Sequence, residues 1–267
     1  MTRAPRLAAG RARALGLPTR GTTNPNRLRR MDRWLLDTQA PLLARSPLVV
    51  DLGYGSSPVT TVELYDRLRS RFPDVRVVGL ELDAERVSAA ADAADPPALT
   101  FRRGGFELAG LRPTVVRAAN VLRQYDEAPA ADAWRTLCGG LAPDGLLIDG
   151  TCDELGRIGG WVALGPDGPR TLTFAVRVAS LDRPSTLAER LPKALIHRNV
   201  PGERVHALLV AFDAAWDAVA PLAPFGPRQR WVGAVTRLAG EGWPVVGDRR
   251  RWRLGEVTFP WEAVEPS

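Results

Sequence analysis

Apolar and polar positions along this chain alternate between two rhythms. Short apolar runs at Leu48–Leu52, 75–81, 98–102, 114–120 and 145–151 predict strands suited to burial on both faces. Between them the spacing turns helical. Val62, Leu64, Tyr65 and Leu68 follow a start at Ser57 and Pro58. Val87, Ala90, Ala91 and Ala94 follow Asp83, a capping residue, and a helix over 128–138 is stopped by Gly139 and Gly140. Upstream, Asn24 as cap and Pro25 at the first helical position predict a helix carrying Leu28, Met31, Trp34 and Leu35, bounded by Pro41 and Pro47. Strands alternating with helices in this way imply a mainly parallel sheet with right-handed crossovers.

After residue 152 the rhythm changes. Apolar runs at 161–164 and 171–178 flank Pro166, Asp167 and Gly168, a turn signal that predicts an antiparallel hairpin at the sheet edge. Helices are expected near 186–196, 203–220 and 228–240, and a last strand around 256–259. There is neither an internal repeat nor a long linker. The expected organisation is a basic extension and helix over 1–45, an α/β core over 46–182 and a helical cap over 183–267. With 267 residues, 45% of them hydrophobic, this fits one large domain or one domain with additions.

The candidate chemistry lies at the ends of the first two strands. Asp51 closes the first, Gly53 and Gly55 follow, and Glu81 closes the second, 26 positions beyond Gly55. In a parallel sheet, ligands sit beyond the carboxyl ends of the strands. Glycines there let the backbone turn tightly and approach a ligand, and the next helix presents free amides. A carboxylate at Glu81 suits a pair of ribose hydroxyls. Pro58 stands where a dinucleotide site wants its third glycine, and Asp51 would repel a pyrophosphate. S-adenosylmethionine has no phosphate and carries an ammonium, so it fits these residues better than a nicotinamide dinucleotide.

Asp51, Gly53, Gly55 and Glu81 resemble the glycine-rich motif and ribose-binding acid of the class I S-adenosylmethionine-dependent methyltransferases, over roughly residues 46–180. The resemblance implies a doubly wound, mainly parallel seven-stranded sheet with one antiparallel strand. It implies cofactor-binding roles for Asp51, Gly53, Gly55, Glu81, Gly105, Phe106 and Asn120. Gly105 and Phe106 replace an acid frequent at the adenine position, and Ser57 replaces a common third glycine. It also implies methyl transfer to an oxygen or nitrogen atom. Asn120 and Tyr125 are the catalytic candidates, and His197 and His206, the two histidines, are candidate bases. The stretch from Asn120 to Tyr125 is also similar to a segment of the chemotaxis-receptor carboxyl methyltransferases, whose helical N-terminal domain residues 1–45 are too short to supply.

Charge adds an alternative. The formal net charge is +6, yet Lys193 is the one lysine among 36 basic residues, a bias typical of GC-rich coding. A small-molecule acceptor is the first expectation. RNA is the alternative, tracked by the basic N-terminus and by Arg249, Arg250, Arg251 and Arg253 with Trp252. A non-catalytic cofactor-binding protein is the third reading. Five of eight tryptophans, from Trp216 onward, suit either an acceptor pocket or a core. Cys138 and Cys152 make no disulfide framework, no metal-ligand spacing is present, and no apolar run approaches the roughly 18 residues of a membrane span. A cytoplasmic protein is the simplest expectation.

Overall fold

A computed structural model of the chain describes residues 24–45 and 47–267. The basic extension expected over residues 1–22 lies outside them. Eight strands form one sheet: β1 (Leu48–Leu52), β2 (Arg76–Glu81), β3 (Leu99–Arg103), β4 (Val115–Ala119), β5 (Leu146–Cys152), β6 (Ile158–Gly165), β7 (Gly168–Val176) and β8 (Glu256–Pro260). Their order is β3-β2-β1-β4-β5-β6-β7-β8. The first five are parallel, with the order reversal between β1 and β4 that marks a doubly wound sheet. From β5 onward each neighbour is antiparallel.

The expected fold class is therefore present, with a different far edge. The sheet has eight strands, and β6 and β8 oppose the first five. The turn at Asp167 sends β7 back along β6, and β8 then covers the open edge of β7. Thr173 and Thr258 join hydroxyls at 2.9 Å across that pair. Covering the edge removes a row of unpaired backbone groups from solvent.

The longer helices among the described residues are α1 (Arg29–Thr38), α2 (Val59–Arg69), α3 (Ala84–Ala89), α4 (Glu127–Gly140), α5 (Arg204–Ala218) and α6 (Pro227–Gly240). Adjacent strand residues point to opposite faces, so Val49 and Val50 enter different cores. Val49, Val115 and Ile148 pack with Trp34 and Leu35 of α1 and Leu64 and Leu68 of α2. Val50, Val116 and Leu147 pack with Leu137 of α4, Phe212 of α5 and Trp231 of α6. Each fully buried Leu, Val or Phe contributes about 1.5–3 kcal/mol. Trp216, Trp231 and Trp261 are buried in this second cluster, so three of the late tryptophans build core.

Some local expectations shift and others hold. Asn24 does not cap α1, which begins at Arg29. Asn26 adopts a left-handed φ of 59° and interrupts the helix, while Asn24 donates instead to the Glu154 carbonyl at 3.0 Å. The helix expected over 186–196 divides into short pieces, Pro184–Arg190 and Lys193–Ile196, because Pro192 disfavours helical backbone at Leu191. Asp83 caps α3 as its position predicts, accepting from the amides of Glu85 and Arg86. Among the described residues no helix is long and apolar enough to cross a membrane.

Candidate functional site

The carboxyl ends of β1, β2 and β4 meet at one place. Gly53 leaves β1 at φ 68°, and its amide donates to the Leu80 carbonyl on β2 at 2.7 Å. A Cβ there would lie 2.8 Å from Cγ2 of Val121, just past β4. Gly55, at φ 86°, donates its amide to Oε2 of Glu81 at 3.0 Å. The other oxygen of Glu81 accepts from the Leu82 amide at 2.9 Å, and Arg86 lies 3.7 Å from Oε2. Glu81 thus holds the glycine loop against the end of β2, with its carboxylate largely buried.

Glu81 also anchors the next loop, because its carbonyl accepts from the Gly104 amide at 3.1 Å. The Gly105 amide donates to Glu107 at 2.7 Å. Phe106 then leans on Tyr125, ring centres 5.4 Å apart and tilted 50°. The structure brings Gly53, Gly55, Glu81, Gly105, Phe106 and Tyr125 together through these contacts.

Asn120 occupies the end of β4 with a φ of 60°, a conformation asparagine tolerates better than most residues. Its amide donates to the Gly150 carbonyl at 2.6 Å, and its Oδ1 accepts from the Cys152 amide at 3.0 Å. Its Nδ2 approaches the Cys152 sulfur at 3.4 Å. The side chain is a clasp between the ends of β4 and β5. Tyr125 is half-buried, its hydroxyl has no partner among the described residues, and burial raises its pKa. A phenol in that state is a poor base.

Asp51 behaves differently from its sequence expectation. It is buried, and its register partner on β4 is Arg117. Arg117 grips both carboxylate oxygens, Nε to Oδ1 at 2.8 Å and Nη2 to Oδ2 at 2.7 Å. Thr61 of α2 adds a hydroxyl to Oδ2 at 2.6 Å. The far side of Arg117 donates to Asp32 of α1 at 2.5 Å, and Arg67 meets the same aspartate at 2.6 Å. Burial by itself would lower the Arg117 pKa, but Asp51 and Asp32 outweigh it and raise it. Asp51 therefore supports the loop from within the fold, while an ammonium contact would have to share oxygens already taken.

This network was absent from the sequence expectations. Its one sequence signal is a charged residue inside an apolar run, Arg117 among Val115, Val116, Ala118 and Ala119. Asp149 repeats that signal inside β5. It is buried, with Trp134 of α4 donating to Oδ2 at 2.9 Å, and burial pushes its pKa up to about 7.

Next to Asn120 the surface opens into a cleft of about 820 Å³ between the ends of β4 and β5. Arg123, Gln124, Cys152 and Arg190 line it. Neither histidine does: Nε2 of His197 sits 2.9 Å from Lys193, and Nδ1 of His206 lies 3.3 Å from Asn199. The arginines near Trp252 are partly occupied elsewhere, since Arg251 pairs with Asp37 and Glu256, and Trp252 packs on the core. Among the described residues no cluster of three or more His, Cys, Asp or Glu is placed to hold a metal ion.

No family model matches the chain, and no curated protein does. Solved structures do. One, described as a proposed protein-L-isoaspartate O-methyltransferase from Plasmodium falciparum with S-adenosyl-L-homocysteine, is 15% identical over 52% of this chain and 66% of that one, TM-score 0.35. An S-adenosylmethionine-dependent methyltransferase from Mesorhizobium loti is 19% identical over 46% and 52%, TM-score 0.34. An O-methyltransferase family protein from Burkholderia thailandensis is 18% identical over 44% and 39%, TM-score 0.32. The match spans less than two thirds of each of these proteins, and it is the sheet order β3-β2-β1-β4-β5 that gives the chain its α/β, Rossmann-like fold.

Proposed function

We propose that this chain binds S-adenosylmethionine at the β1–β2–β4 end and transfers its methyl group to an oxygen or nitrogen atom of a small molecule. The observation that carries the reading is the joining of Gly55 to Glu81. It sets a glycine loop and a carboxylate side by side at the switch point of a parallel sheet. Glycine is required at Gly53, because its φ is 68° and a Cβ there would collide with Val121.

The bound cofactor would supply a methyl group on a sulfonium, already activated for displacement. Glu81 would accept hydrogen bonds from the ribose hydroxyls. Gly53 and Gly55 would admit the methionine portion close to the backbone, and Phe106 would lie beside the adenine near Gly105. Asn120 would hold the wall between the cofactor end and the cleft, a positioning role. Tyr125, half-buried against Phe106, would shape the pocket and exclude water. With no histidine in the cleft, the chain's contribution to rate would be alignment of the partners.

Titration with S-adenosylhomocysteine tests the cofactor site. Glu81→Ala removes charge-assisted hydrogen bonds worth about 1.5–3 kcal/mol, so affinity should fall about 10- to 150-fold. Unchanged affinity would sink the ribose assignment. Transfer of labelled methyl into the small-molecule fraction of a host extract is expected. Label in nuclease-sensitive material would favour RNA as acceptor, and binding without turnover would favour a non-catalytic protein.

A further inference from the structure

Three arginines line the cleft beside Asn120, and while Arg27 donates to the carbonyls of Cys152 and Asp153, Arg123 and Arg190 are left less well matched. Arg190 ends the helical piece Pro184–Arg190 and lines the cleft. Its guanidinium has no hydrogen bond or ion pair among the described residues, and its Nε–H is buried with no acceptor. Arg123, from the turn after β4, lines the same cleft and donates to a neutral group, the Glu189 carbonyl, at 2.7 Å. Neither arginine has a carboxylate partner among the described residues. Burial lowers the Arg123 pKa, the nearby charge of Arg190 lowers it further, and the exposed carboxylate of Glu189 offsets this only in part.

Arg67, Arg117 and Arg251 each meet a carboxylate, and Arg30 and Arg230 spend their donors on backbone carbonyls, whereas the Arg190 guanidinium does neither. The acids bordering the cleft do not neutralise the pair. Asp153 turns its carboxylate to the amides of Arg157 and Ile158, at 2.6 and 3.1 Å, and Glu154 is exposed at the rim. Half-buried guanidinium groups without acceptors are unfavourable unless something supplies the acceptors. Planar forks of donors match the oxygens of a carboxylate or phosphate.

We infer that this cleft receives an acceptor molecule bearing a carboxylate or phosphate group, held between Arg123 and Arg190 with its reacting atom toward Asn120. The inference rests on the methyl-transfer reading for the word acceptor, while the anion site itself stands on the cleft with Arg123 and Arg190.

The test uses the full chain, with and without saturating S-adenosylhomocysteine. Inorganic phosphate and benzoate are titrated separately by calorimetry, with benzamide as the neutral control. Wild type should bind at least one anion and be stabilised by it against heat. Arg190→Gln should weaken that anion about tenfold, the double variant R123Q/R190Q more, and Arg190→Lys should restore part of the loss. S-adenosylhomocysteine affinity should stay unchanged throughout. Arg190→Gln removes no bond within the protein, so its melting point should hold. Benzoate alone or phosphate alone identifies the anionic group. Equal anion binding by wild type and the double variant would assign the anion to surface arginines at large and overturn the inference. So would benzamide binding as well as benzoate, or no anion binding at all. Failure of S-adenosylhomocysteine to bind would instead overturn the cofactor site, leaving the anion titration of the free protein to decide the cleft.

Discussion

Asp149 makes stability depend on pH in an unusual direction. It lies inside β5 under α4, with one hydrogen bond, from Trp134. Burial raises its pKa from 3.8 to about 7, and the Trp134 bond only partly opposes this. Its folded pKa lies above its unfolded one, so the native state holds a proton that the unfolded chain has released. The stability is complete below about pH 4 and drains away as pH rises toward 7. The full shift of about 3 units corresponds to about 4 kcal/mol. Between pH 5 and pH 8 the two titration curves differ by about 2.5 kcal/mol. Asp149→Asn keeps an oxygen for the Trp134 N–H and removes the titration. Any constant cost of the new amide cancels when one protein is compared with itself at two pH values. Urea unfolding at pH 5 and pH 8 gives the measurement. Wild type should lose about 2.5 kcal/mol more than the variant over that interval. Equal losses, or a smaller loss in wild type, would refute a buried, neutral Asp149.

Two substitutions test the supports of the site. Arg117→Met leaves Asp51 and Asp32 buried without their shared cation, and should cost about 3–5 kcal/mol in urea unfolding. A loss under about 1 kcal/mol would mean that the network does not hold α1 to the sheet. Asn120→Ala orphans the buried Cys152 amide and puts alanine at φ 60°, costing about 1–3 kcal/mol of stability. As a positioning residue it should slow methyl transfer while leaving S-adenosylhomocysteine affinity within a few-fold. Full loss of cofactor binding would reassign it to direct contact.

Much of the fold was legible in the chain because the signals are local. Strand β1, its following glycines and the capped start of α3 are each set within a few residues by apolar period, backbone freedom and a short polar side chain. Gly55 and Glu81 were legible as a pair because both sit at strand ends, where a parallel sheet must gather them. The late tryptophans allowed two readings, since a helical apolar stripe looks the same whether it faces a core or a ligand. Trp216 and Trp231 face the core because α5 and α6 pack under β5 to β7.

Local residue pattern was enough to set the alternation of strand and helix, the doubly wound class and the glycine-and-acid end that suits a nucleoside cofactor. What Asp51 faces depends on long-range packing instead. Its partner lies 66 residues away, brought there by the register of β1 against β4, and Asp32 arrives from a helix outside the repeating pattern. The far edge of the sheet was decided in the same way, when a strand near the C-terminus met β7. Arg123 and Arg190 share a cleft for the same reason. Pairing of charges and of strand edges depends on which distant segments meet, and no local pattern of residues records that.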